Sequence, residues 1–184
     1  MSDPTPTPTP LTNKLKRSAH LLYIDSSFDI KATPTHSWKL VGKDVEDMSV
    51  ELNPDVETKK NILDENVVTD NGYTPSISVE TYFADPSDGA FYTKLRDIAM
   101  NRLTGGDCRT YVMEVLVDQT GEVQRAWREE AVIKPQSYGG AQGGVRIPYN
   151  IHFDGNRTEG TATFSGLTDT DKAKTIPPTF AAAS

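Results

Sequence analysis

Few residues in this chain have the type and spacing to do chemistry. Three histidines, His20, His36 and His152, stand far apart, and none falls in a metal-binding pattern such as His-Glu-x-x-His, so each reads as a strand or turn residue. The single Cys108 has the chemistry of a nucleophile if a histidine lies beside it, but it directly follows a helix stop with no supporting motif. Asp44, Glu46 and Asp47 offer three carboxylates within four residues, yet the spacing and terminal glutamate of a Ca²⁺ loop are missing, and a solvated acidic surface is the simpler reading. The run Gly139-Gly140-Ala141-Gln142-Gly143-Gly144 is followed by neither Gly-Lys-Ser/Thr nor a helix, so it reads as a flexible loop rather than a phosphate cradle. Asn156-Arg157-Thr158 has the form of a glycosylation acceptor, which carries no meaning unless the chain is secreted. No catalytic, cofactor-binding or metal-binding residue is assigned, and the expectation is a protein that is not an enzyme and uses no cofactor.

At 184 residues, 36% hydrophobic and 24% charged, the chain suffices for one core with polar ends. No apolar run approaches the roughly 18 residues of a membrane helix. The start Met1-Ser2-Asp3-Pro4 lacks the basic and apolar regions of a signal peptide, and one cysteine forms no internal disulfide; both point to a cytoplasm. The net charge of −7 argues against a dedicated DNA binder, which needs a basic patch.

The pattern divides the chain into a Pro/Thr-rich flexible tail over 1–14, a β-domain over 15–167 and a flexible, irregular tail over 168–184. Strands are expected at Ala19–Ile24, Ser37–Val41, Met48–Leu52 and Ile77–Phe83 by alternation. A helix follows, with Asp85 as cap, Pro86 in its first turn, Phe91, Leu95, Ile98 and Ala99 on its buried face and Gly105-Gly106 as its stop. Thr110–Val117 and Glu122–Ile133 form a hairpin across Asp118-Gln119-Thr120-Gly121. Val145–Phe153 and Thr158–Phe164 are expected to form a second across Asp154-Gly155-Asn156, with Pro148 marking an edge or bulge. Seven or eight strands and one helix make a mainly β fold, a sandwich or barrel with the helix at a side or end.

One stretch does not fit a compact domain. Between the Met48–Leu52 and Ile77–Phe83 strands runs a polar arm of about twenty residues, at about 53–73, longer than ordinary connections. Lys43–Asp70 carries nine acids against three lysines, an excess of six that accounts for nearly all of the net −7. A β-domain with a long arm and open sheet edges can add the arm to a neighbour's sheet, and head-to-tail contacts that close make a ring. Pro54, Val56, Thr58, Lys60, Ile62, Leu63 and Tyr73 are the candidate inter-subunit residues of this arm. A carbohydrate- or host-surface-binding β-module is the alternative of another class. It calls for a cluster of exposed aromatics on loops, for which only Tyr73 and Tyr138 qualify.

The order of these pieces resembles the major tail tube proteins of long-tailed bacteriophages. The likeness runs from about Leu15 to Leu167. It is carried by Trp38-Lys39-Leu40-Val41-Gly42 followed by Met48-Ser49-Val50-Glu51-Leu52-Asn53-Pro54. The arm Glu57-Thr58-Lys59-Lys60-Asn61-Ile62-Leu63-Asp64-Glu65 comes next, then Gly72-Tyr73-Thr74-Pro75-Ser76-Ile77-Ser78-Val79-Glu80, the helix Phe91 to Leu103 and the closing strands to Phe164. The resemblance implies two antiparallel sheets packed as a sandwich or barrel with one α-helix at the side. Subunits would form six-fold rings that stack into a tube, the long hairpin arm taking part in ring closure and stacking. It implies a virion protein assembled in the host bacterial cytoplasm, with itself, a tape-measure protein and the tail-tip and tail-terminator proteins as partners. DNA would pass through without sequence-specific binding, and this chain would insert in no membrane. The inner tube of a contractile particle looks similar and stays open. The arm's acids either form a solvated outer face or line the lumen, in which case Glu51, Glu57, Asp64 and Glu65 are the candidates and would keep the duplex off the wall by like-charge repulsion.

Overall fold

The computed structural model describes residues 9–31, 36–43, 45, 48–140, 142–168 and 172–183. Asp44, Glu46 and Asp47, Ala141 of the glycine run and the Pro/Thr repeat up to residue 8 lie outside the described residues. The fold is mainly β and antiparallel, with one α-helix: a large curled sheet and a small second one.

The large sheet has the order β2 (Trp38–Val41), β1 (His20–Asp25), β6 (Arg109–Leu116), β7 (Val123–Pro135), β8 (Tyr149–Thr163), β5 (Ser76–Val79), and β9 (Thr179–Ala182) also pairs with β8. The small sheet is the hairpin of β3 (Pro54–Lys60) and β4 (Asn66–Tyr73). Alternation along β1 and β6 feeds two cores. Leu22, Ile24 and Val112 join Ile133, Ile151 and Tyr149 in one cluster, closed by Phe91 and Leu95 of α1 (Ala90–Asn101). Leu21, Tyr23, Met113 and Val115 join Ala126, Ala162 and Phe164 in the other. The sheet thus buries both faces, which is why these strands read as nearly continuous apolar runs.

The helix matches its expected face, with Phe91, Leu95 and Ile98 buried and Ala99 half-buried. Asp85 accepts a hydrogen bond from Ser87 N at 2.9 Å, but it caps a separate 3-10 turn, Pro86–Asp88; Gly89, with φ +61°, breaks the chain before α1 starts. At the other end Arg102 takes the left-handed conformation and ends α1 before the two glycines.

Three expectations are corrected. First, Asp154-Gly155-Asn156 is not a hairpin turn. β8 is one strand of 15 residues, paired with β7 along its length, and these residues form a bulge where two register shifts occur. Gly155 and Asn156 have φ of +91° and +57°, and a tight turn and a bulge both need such residues, so local sequence does not separate them. Second, the tail expected over 168–184 holds β9, whose Thr179–Ala182 pairs with Gly160–Thr163. A Cβ at Gly160 would lie 2.2 Å from Ala181 O and 2.7 Å from the Phe180 ring, so the close approach of β9 requires glycine there. Third, Met48–Leu52 is not a strand; it touches the sheet through one bridge, Glu51 to Ser76, while Met48 and Val50 pack on the helix-side core. Within the tail expected over 1–14, Leu11 N donates to Asp118 O at 2.9 Å and Thr120 N to Thr9 O at 3.0 Å.

Candidate functional site: an arm and the groove at its root

The polar stretch is a β-hairpin. β3 and β4 pair from Pro54 with Tyr73 to Lys60 with Asn66, with an irregularity between Pro54 and Val56. Every β3 residue is exposed, and in β4 only Gly72 is half-buried. Side chains at the two ends fix this ribbon. At the tip, Asn61 Oδ1 accepts from Leu63 N at 2.9 Å and Glu65 N at 3.0 Å, and Asn61 Nδ2 donates to Glu65 Oε2 at 2.9 Å. At the root, Asn53 Nδ2 donates to Thr74 O at 3.1 Å, and the Glu51 and Ser76 backbones exchange two 2.9 Å hydrogen bonds. Asparagine and aspartate do this because a short side chain can reach its own neighbouring backbone.

The candidate inter-subunit residues Pro54, Val56, Thr58, Lys60, Ile62, Leu63 and Tyr73 all lie on this hairpin and are exposed. Of the thirteen exposed large hydrophobic residues described, seven fall between Leu52 and Tyr73: Leu52, Val56, Ile62, Leu63, Val67, Val68 and Tyr73. Ile62 is 101% exposed, as free as in an unfolded chain, and Leu63 is 72% exposed. Exposed apolar residues grouped in this way are a general feature of interaction surfaces. The candidate acids are strung from root to tip: Glu51 at the bridge to Ser76, Glu57 within β3, Asp64 and Glu65 in the tip. Lys59 lies 2.9 Å from Glu57 and Lys60 2.8 Å from Asp64, so two of the four have a basic partner.

Beneath the root lies a groove of about 740 Å³, with Met48, Val50, Leu52, Tyr73 and Pro75 as apolar walls. Its polar lining was not singled out in the sequence. On the face shared by Leu22 and Val112, β1 and β6 continue with His20 and Glu114, and β7 supplies Glu129. The β8 bulge brings Arg157 over them: Nη1 donates to Glu114 Oε1 at 2.8 Å and Glu129 Oε2 at 3.0 Å. His20 Nε2 lies 3.1 Å from Glu114 Oε2. Both carboxylates are buried. Burial opposes the Glu114 charge, but hydrogen bonds from His20 and Arg157 outweigh it and hold the carboxyl below the usual glutamate range. Arg17 is occupied by backbone carbonyls, donating to His20 O at 3.0 Å and Met48 O at 2.5 Å. Two buried carboxylates share one guanidinium, a pattern that sequence spacing alone does not reveal, since the bulge sets which β8 residue reaches them.

The other chemistry-bearing residues are placed apart from this groove. His36 Nδ1 lies 2.8 Å from Asp25 Oδ2, its ring stacks on Trp38, and Arg128 Nη1 is 3.2 Å from its Nε2. Asp25 and Arg128 hold the His36 ring from its two nitrogens, a structural clasp. His152 is exposed on β8. Cys108 is buried, donating to Leu103 O at 3.2 Å with Lys134 Nζ 3.4 Å from its sulfur. No group of three His, Cys, Asp or Glu among the described residues could hold a metal ion. Among them, no helix is long and apolar enough to cross a membrane. Tyr73 and Tyr138 are the exposed aromatics among the large hydrophobics described, one at the arm root and one after β7. No protein-family model matches the chain, and no curated protein matches it in sequence.

Proposed function

We propose that this chain is a structural subunit that assembles with copies of itself into stacked rings, six-fold by the resemblance, forming the hollow tail tube of a long-tailed bacteriophage. The observation that carries the reading is the projecting β3–β4 hairpin, on which six aliphatic and aromatic residues (Val56, Ile62, Leu63, Val67, Val68 and Tyr73) lie uncovered beside a sheet that buries its own. A monomer gains nothing from ordering such a ribbon in water, where an isolated two-stranded hairpin is marginal at best. A neighbour that covers it gains roughly 25 cal/mol for each Å² of apolar surface removed from water. The contact is between unlike surfaces, arm on body, so it propagates from copy to copy and closes only when the rotation allows.

In this reading the tube is built around a tape-measure protein and bounded by tail-tip and terminator proteins, and DNA passes through it unbound. Glu51, Glu57, Asp64 and Glu65 are the arm's contribution to keeping the duplex away, since like charges repel over about 8–10 Å at ordinary ionic strength. The test is electron microscopy of the purified full chain at increasing concentration, beside a variant in which Pro54–Asp70 is replaced by a short Gly-Ser linker. The expected outcome is rings or hollow tubes from the full chain, and a folded monomer, native by circular dichroism, from the variant. A full chain that stays monomeric at millimolar concentration, also when mixed with its tail-tip complex, overturns the proposal.

A further inference from the structure

The core on the helix side keeps one polar group without a protein partner. Tyr149 is 2% exposed and packs its ring 6.0 Å from Tyr82 and 5.8 Å from Phe91. Burial, with the Tyr82 hydroxyl and the Asp88 charge near it, raises the Tyr149 pKa, so the group stays a neutral hydroxyl with a proton to donate. Lys39 Nζ donates to Asp88 Oδ1 and Tyr82 Oη to Asp88 Oδ2, the latter at 2.9 Å. Among the described residues, no group is hydrogen-bonded to Tyr149 Oη. Tyr149 instead lines a cavity of about 60 Å³ together with Lys39, Tyr82, Asp88 and the apolar Ile24 and Val79. We infer that this cavity is a built water site, in which ordered water accepts from Tyr149 Oη and donates to the Asp88 carboxylate. The inference does not depend on self-assembly.

Size and chemistry select water as the occupant. One water needs about 10–15 Å³ of such space, so about four fit at most, whereas a cavity that takes benzene measures roughly 150 Å³. A cavity that stays dry is apolar on every side, and a buried water needs two to four polar partners. Here one side is apolar, and the other carries the free Tyr149 hydroxyl beside Asp88. An ionised carboxylate accepts about four hydrogen bonds, and Lys39 and Tyr82 take two of those of Asp88, which leaves capacity for a water. The lining is balanced in charge, Lys39 against Asp88 and Lys43 against Asp85, so nothing in it calls for an ion. Lys43 is exposed and gives the cavity a way in from solvent. The bridge would run from β8, through Tyr149, to the 3-10 turn Pro86–Asp88 that leads into α1, fastening the helix to the sheet where no direct side-chain bond does.

The test joins a crystal structure of the full chain, at a resolution that shows ordered water, to urea unfolding of Tyr149→Phe at micromolar concentration. The expected structure has water within hydrogen-bond distance of both Tyr149 Oη and an Asp88 oxygen. Tyr149→Phe keeps the ring and its packing and removes the hydroxyl alone, so the sign of its effect decides. A hydroxyl bonded to water supports the fold through its bridge, and losing it should lower the folding equilibrium constant several-fold. A hydroxyl buried without any partner is a cost to the fold, and removing it should raise that constant. A dry cavity, an occupant other than water, or a folding constant unchanged or raised by Tyr149→Phe overturns the inference.

Discussion

Two hairpins of consecutive strands make the same backbone ladder in this chain and end in opposite states. β6–β7 sends Val112, Met113, Val115, Ala126, Ala131 and Ile133 into two cores, and its turn is tied by buried Gln124, which donates to Gln119 O at 3.0 Å and Gly121 O at 2.8 Å. β3–β4 is paired along its length too, with one irregularity between Pro54 and Val56, yet no β3 side chain is buried. Backbone hydrogen bonds therefore do not separate them; each contributes only about 0.5–1.5 kcal/mol net in either ribbon. What separates them is apolar burial, which β6–β7 obtains from β1, β8 and α1, and which β3–β4 lacks within one copy. Within one copy the body buries its apolar residues, and the arm is held by hydrogen bonds at its two ends while its apolar residues stay exposed.

The largest effect expected from this contrast comes from paired truncations. Phe91 is 1% exposed and meets the rings of Tyr82 at 5.4 Å and Tyr149 at 5.8 Å. Phe91→Ala should cost about 3–5 kcal/mol in urea denaturation, through lost burial and the cavity left behind. Ile62→Ala removes a large aliphatic side chain too, but should shift monomer stability by less than about 0.5 kcal/mol. If Ile62→Ala proved as costly as a core truncation, the arm would be packed on its own body in solution, and the contrast would be lost.

A smaller effect probes the boundary between the two regions, where the groove's buried ion cluster lies. The folded state holds Glu114 below its ordinary range, so it binds the Glu114 proton more weakly than the unfolded chain does. The resulting stability is present above an ordinary glutamate pKa of about 4.3 and is lost as pH falls through the depressed folded value. Glu114→Gln removes this titration. It should cost about 1–2 kcal/mol at pH 7, where charged hydrogen bonds to His20 and Arg157 are lost, and the gap to the parent should narrow below pH 4. A gap that stayed constant between pH 7 and pH 3 would show that the Glu114 charge does not support the fold.

The sequence made the body legible where burial is periodic. Phe91, Leu95 and Ile98 stand out at helical spacing, and β1 and β6 stand out as apolar runs because both faces of the sheet are covered. It made the arm legible as an excess length of polar chain. It misled where one local conformation serves two structures: Gly155 and Asn156 take positive φ in a bulge as they would in a turn. It was silent where the partner is distant, as for Thr179–Ala182, whose strand character comes from Gly160–Thr163. The groove's Arg157, Glu114 and Glu129 come from three places in the chain, and only the register of β7 with β8, shifted by the bulge, brings them together.

The smallest expected effect tests whether the arm is fastened locally. Asn61→Ala removes the acceptor for Leu63 N and Glu65 N and the donor to Glu65 Oε2, while the backbone bond from Asn61 N to Glu65 O at 2.9 Å survives. The loss of side-chain bonding at an exposed turn should amount to about 1 kcal/mol. Because the ribbon's order rests on its ends, that loss should appear in the arm alone: amide exchange between residues 62 and 69 should quicken several-fold, with the urea midpoint of the body unmoved. Asn61→Asp keeps the acceptor and should recover most of the protection, despite the added repulsion from Glu65. The measurement is exchange by mass spectrometry on the monomer, before assembly covers the tip. Faster exchange in the body, or a lowered midpoint, would mean that arm and body unfold as one unit; a tip unchanged by Asn61→Ala would mean that the β3–β4 ladder holds without its fastening.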